Sequence, residues 1–173
     1  MKPTFWHRLD LWAHHLTPFG LTFILILLNA VPLHIPGFSS IAPVLPLIAV
    51  FHWATFRPHL LPHAAVFVIG ILHDLIGGHP IGINAVVFLT VYSVVSYQRQ
   101  FFVAKSFTIY WLGFAVVCFG AAIETWILHS VYNAALISPS AAFFQYLMTV
   151  GTFPIIAWVF LRWQQAFLKQ EVE

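Results

Sequence analysis

Residues 107–128 read FTIYWLGFAVVCFGAAIETWIL, an apolar run interrupted by one ionisable side chain, Glu124. Crossing the hydrocarbon core of a bilayer takes a helix of about 20 predominantly apolar residues. This run has that length and that composition. A spanning strand would be about half as long and would alternate polar with apolar positions, which this run does not. In lipid, a helix satisfies its own backbone hydrogen bonds and an open strand does not. The stretch therefore reads as a membrane helix.

Five further apolar stretches surround it, at residues 18–33, 41–56, 61–77, 80–97 and 143–161. Short punctuated segments containing Pro36, Pro58, Gly77 to Pro80, and Pro139 separate them. The composition agrees: 173 residues, 61% hydrophobic, 7% charged and a mean hydropathy of +0.90, against about 25% charged for a soluble domain. An ordinary water-soluble fold is excluded. The expected fold is all-α, with six transmembrane helices. Residues 1–17 form a cytoplasmic amphipathic segment, 18–163 the six-span domain and 164–173 a short cytoplasmic tail. Within the first segment Phe5, Leu9, Trp12 and Leu16 recur at helical spacing opposite Arg8, Asp10 and His15. No small-residue cleavage site follows, so the segment reads as retained, either lying on the cytoplasmic leaflet or as a frayed polar tail. Pro43 and Pro46 fit best in a first helical turn, where the missing amide donors are not needed.

The basic residues orient the bundle. Lys2 and Arg8 precede the first stretch, Arg57 follows the second, Arg99 and Lys105 follow the fourth, and Arg162 and Lys169 follow the sixth. The alternate connections, 34–40, 77–80 and 129–142, hold no Lys or Arg. The positive-inside rule then places both termini in the cytoplasm. Trp53, Tyr97, Trp111 and Trp158 fall near the basic side and Trp126, Tyr132 and Tyr146 near the other, as interfacial belts do. Seven scattered basic residues and a net charge of +2 exclude a nucleic-acid surface. The lone Cys118 can build neither a disulfide framework nor a cysteine metal site.

Two carboxylates, Asp74 and Glu124, fall inside predicted spans, where a charge at mid-bilayer costs at least about 2.5–3.5 kcal/mol. Gly70 and Gly120 each precede one of them by a helical turn, which directs both acids towards another helix. Both point to the non-cytoplasmic end, so they are candidates for one shared site. With no Lys or Arg in a span core, tolerance must come from protonation, from a partner chain, or from His73, His79, Asn84, His129 or Asn133. In the plainer reading Asp74 caps the turn at 77–80 and Glu124 is protonated between helices. Gly113 and Gly120, seven apart, read as a close helix-contact face, and Thr90, Ser93 and Tyr97 as a helix-joining polar stripe.

Ten histidines invite a metal site, but His59 and His63 lie at the opposite surface from His73, Asp74 and His79. A metal needs three or four convergent ligands, so none is expected. Nor is a cofactor or a catalytic group, because no nucleophile accompanies His73 and Asp74 and no phosphate loop or serine elbow is present.

Residues 70–85, GILHDLIGGHPIGINA, resemble the signature of the MreD family, small polytopic subunits of the bacterial rod-shape (elongation) complex. The pattern is a glycine, an acid four residues on, then Gly-x-Pro-x-Gly and a small residue. It falls here on Gly70, Asp74, Gly78, Pro80, Gly82 and Ala85. The preceding span, opened by Pro43 and Pro46 and ending in Phe51, His52, Trp53, Arg57 and Pro58, is similar to the family too. The resemblance implies a non-enzymatic inner-membrane protein that binds the bitopic protein MreC. Through it the chain would connect the filament protein MreB to the wall-synthesis glycosyltransferase and penicillin-binding transpeptidase, and so help regulate peptidoglycan synthesis. It also implies a fold like the substrate-binding subunits of energy-coupling-factor transporters, six helices around a cavity. Asp74, Glu124, Gly113 and Gly120 would then shape the cavity or meet a partner. The competing reading is a vitamin-transporter binding subunit. The Ala-x-x-x-Ala docking pattern of such subunits is missing from residues 18–33.

Overall fold

In the computed structural model of the chain, residues 5–31, 42–103 and 106–167 are described, with the side chains of 18–31, 42–102 and 106–163. Six helices follow in order: α1 (Phe5–Ala30), α2 (Leu45–Phe56), α3 (His63–Gly77), α4 (Ile83–Val103), α5 (Phe107–Tyr132) and α6 (Ser140–Phe167). A 3-10 turn at Pro58–Leu60 joins α2 to α3.

Each apolar stretch becomes a helix, with informative differences at the ends. The expected surface helix at 1–17 and the span from 18 are continuous in α1, which carries Pro18 inside it. The Pro18 carbonyl accepts the Thr22 hydroxyl at 2.7 Å. The side chains that would form the amphipathic face at 5–16 lie outside the described residues, as do Lys2, Leu33, the connection 34–40, Ile41, Lys105 and Lys169. Helix α2 starts at Leu45, so Pro46 lies in its first turn while Pro43 precedes it. Helix α4 continues to Val103 through Gln98, Arg99 and Gln100, because straight-chain polar residues propagate a helix as readily as apolar ones.

Helix α2 is the centre of the bundle. Its twelve residues rise only about 18 Å, and Pro46 to Thr55 are all buried. It packs against α1, α4 and α6. Apolar on every side, it reads as a core helix rather than a lipid-facing one. Phe51 lies among the rings of Phe102, Tyr110, Phe114 and Phe153, and Phe114 stacks on Phe153 at 4.1 Å. The non-helical backbone leading into α2 is hydrogen-bonded by side chains from both flanking helices. The Val44 amide donates to Thr149 Oγ1 and the Leu45 amide to Asn29 Oδ1, each at 3.0 Å. Gln145 Nε2 donates to the Ala42 carbonyl at 3.1 Å.

Helices α3 and α4 make the most extensive contact, and Gly70 sets it. A Cβ at position 70 would lie 2.7 Å from the Ala85 backbone nitrogen and 2.9 Å from the Ala85 Cβ. No side chain fits there. Helices α5 and α6 are long and apolar enough to cross a membrane, yet only 17% and 22% of their apolar windows are buried. A core helix of a soluble protein would be mostly covered, and neither lies near the N-terminus, where a signal sequence would. Val116, Ile123, Ile127, Ile155 and Trp158 face outward. Outward apolar surface of this extent is what a bilayer or a partner helix covers.

Gly70→Ala is expected to destabilise the fold by about 1–3 kcal/mol through overpacking against α4. Gly120→Ala, where nothing lies within 4 Å of the added Cβ, should leave stability unchanged or slightly raised. Thermal unfolding of the two variants in the same detergent checks the contrast.

Candidate functional site at the α3–α4 turn

The chain reverses between α3 and α4 through Gly78, His79, Pro80, Ile81 and Gly82. Gly78 has φ +68° and Gly82 φ +103°, conformations that glycine adopts without a Cβ penalty. Gly78 closes α3 as a left-handed cap. The Asp74 carbonyl accepts the amides of Gly78 and of His79, the latter at 2.9 Å.

The same residue also opens the next helix. One Asp74 carboxylate oxygen accepts the Gly82 amide at 2.7 Å. The other accepts Asn84 Nδ2 at 2.7 Å and the Asn84 amide at 3.3 Å. These amides belong to the start of α4, where donors have no helical partner and the helix dipole favours negative charge. A fully buried acid is thus held by amide donors, with no Lys or Arg among the described residues bonded to it. Asp74 closes one helix with its backbone and caps the next with its side chain. Around it, Gly70 permits the helix crossing, Gly78 and Gly82 permit the turn, and Pro80 accepts the Ile83 amide at 3.4 Å.

Glu124 lies elsewhere. Its Oε1 accepts the Thr90 hydroxyl at 3.0 Å between α5 and α4, and the side chain is only partly buried. The shared site foreseen for the two acids does not form: Asp74 is bound into the turn and Glu124 pairs with Thr90. Gly113 lies under the Phe102 ring, which a Cβ would meet, whereas Gly120 faces open space. Ser93 and Tyr97 are exposed on α4.

A cavity of about 300 Å³ adjoins the turn, lined among others by His73, His79, Asn84, Cys118, His129 and Tyr146. A second, of about 340 Å³, reaches towards α1 and shares His73, His79 and Gln145 with the first. Asp74 lines neither, but the turn it ties down carries His79 and Asn84 into the first. His73, His79 and His129, which the sequence offered as partners for the buried acids, line one cavity instead, and the role of Gln145 and Thr149 at α2 has no counterpart in the sequence reading. The visible trace of the His79 placement is Gly77: a Cβ there would lie 2.5 Å from His79 Nδ1, so the histidine ring folds back over the end of α3.

With this geometry in place, comparison with known proteins is informative. The profile of a family described as rod shape-determining protein MreD matches residues 13–170. An uncharacterized protein of Rickettsia prowazekii (strain Madrid E) is 26% identical over 136 residues, covering 79% of this chain and 78% of that protein. No solved structure matches.

Asp74→Ala leaves the Gly82 amide and Asn84 side chain without their acceptor and is expected to cost on the order of 2 kcal/mol. Glu124→Gln keeps an acceptor for Thr90 and should shift stability by less than about 0.5 kcal/mol. Denaturation midpoints of both variants separate the two acids.

Proposed function

The chain belongs to the MreD family of rod shape-determining proteins, and from that premise we propose that it is a non-enzymatic membrane subunit of the bacterial rod complex. In this reading it binds MreC and helps to organise peptidoglycan synthesis. The family match from residue 13 to residue 170 carries the proposal, since it runs from within α1 through α6.

The six helices cross the inner membrane six times, with both termini in the cytoplasm. Helix α2 is short for a crossing of about 30 Å, and the non-helical backbone at 42–44 supplies part of the path. Such backbone is tolerated at membrane depth where protein groups satisfy it, and Asn29, Gln145 and Thr149 do so here. The fold is then of the energy-coupling-factor binding-subunit type, used for assembly.

A protein with so little mass outside the lipid acts through its helix faces. Val116, Gly120, Ile123 and Ile127 follow one another at spacings of four, three and four along α5, all exposed. With the flank of Gly120 open, this stripe admits a single partner helix at close approach. MreC, which is bitopic, supplies such a helix. The basic inner loops then face MreB, and the outer loops the glycosyltransferase and the penicillin-binding transpeptidase.

Gly120→Leu is expected to reduce co-purification with MreC severalfold and to round the cells when it replaces the chromosomal copy, while the thermal midpoint of the purified protein stays unchanged. Undiminished MreC recovery and normal rods would remove this face from the proposal. Alkaline phosphatase fused after residue 138 should be active and after residue 105 inactive; the opposite pattern would overturn the orientation.

A further inference from the structure

We propose that His73, Asp74 and His79, joined by His129, form a binding site for a divalent transition-metal ion of the zinc class where α3 turns into α4. One ligand atom from each of His73, Asp74 and His79 lies within 4.8 Å of the others. Zinc ligands at about 2.0–2.2 Å from the ion stand some 3–4 Å apart, so small side-chain rotations bring the three to coordination distance.

Each donor is available. His73 is 5% exposed, and its Nδ1 has no hydrogen-bond partner among the described residues. A buried imidazole nitrogen without a partner is rare enough to call for an occupant, and this ring lines both cavities. His79 stacks on it, centroid to centroid at 5.6 Å and 22° between planes. Asp74 receives three hydrogen bonds on a carboxylate with about four lone-pair directions, which leaves one for an ion.

His129 stands across the cavity on α5, its ring centroid 6.4 Å from that of His79. Its Nδ1 is 3.0 Å from the Thr125 carbonyl. A carbonyl only accepts, so Nδ1 carries the proton and Nε2 presents the lone pair. This is how metal-binding histidines are usually held. Among the described residues neither cavity is lined by a Lys or Arg, so none of these supplies a competing cation.

Imidazoles with one carboxylate suit zinc and its neighbours, whereas magnesium and calcium favour all-oxygen sites. The sequence spacing alone argued against a site. What changes the reading is the turn, which folds His79 back over Gly77 to meet His73. An ion here would clip α3 and the turn to α5.

The test uses the full chain in detergent with a tag free of histidine, stripped with chelator and reloaded with Zn²⁺ or Co²⁺. One Zn²⁺ per chain by elemental analysis, and Co²⁺ ligand-field bands, are expected. His79→Gln should weaken binding at least tenfold and abolish the rise in melting temperature that Zn²⁺ gives the wild type. The ring of His79 is exposed, so this variant keeps the fold. His73→Gln should behave alike, and the His59→Gln, His63→Gln double variant should bind as the wild type does. Failure to retain Zn²⁺ on gel filtration, or binding that His79→Gln leaves intact, would overturn the proposal.

Discussion

A short helix whose body is buried on all sides opens with amides that have no partner within the helix, and side chains of the flanking helices meet that requirement. At α2 the donors come to Asn29 from one flank and Thr149 from the other, while Gln145 takes the carbonyl at Ala42. An unpaired amide in an apolar surround costs about 1–3 kcal/mol. These three polar side chains therefore decide which faces of α1 and α6 turn inward. The aromatic packing of Phe51, Phe114 and Phe153 follows from that placement, and the lipid-facing surfaces are what remains.

The same economy of polar groups governs the α3–α4 turn. Asp74 needs no basic partner because the amides that open α4 are themselves short of acceptors, so two deficits cancel. Gly70 lets the helices approach closely enough for the carboxylate to reach. Lengthening the α3–α4 distance by even a methyl group would work against the hydrogen bonds at Gly82 and Asn84. The signature of glycines, acid and proline is thus one mechanical unit, and its product is a rigid turn beside a cavity.

Much of this was legible before the structure. Apolar run length located all six helices, and α5 begins at Phe107 as the run does. Ends were less legible: Gln98 to Gln100 looked like loop because polarity marks a boundary only where the helix meets water at that point. Pro18 looked like a divider between a surface helix and a span, but one lost hydrogen bond does not end a helix whose flanks continue. Asp74 was readable as a turn residue from its distance to Gly77 and Pro80. Its pairing with Asn84 depended on φ angles at Gly78 and Gly82 that sequence leaves open. Gln145 and Thr149 were unreadable, since their partners lie more than a hundred residues away.

That last distance bears on how the protein is made. The Val44 amide and its Thr149 acceptor are 105 residues apart, and Ala42 and Gln145 are 103 apart. Translation proceeds at about 5–20 residues per second, so the start of α2 emerges several seconds before either partner exists. During that interval the Val44 amide and the Ala42 carbonyl lack their native partners. Folding is completed from the C-terminal end: α6 is the closing element, and a chain stalled before it would lack the Gln145 and Thr149 side chains that satisfy the backbone before α2.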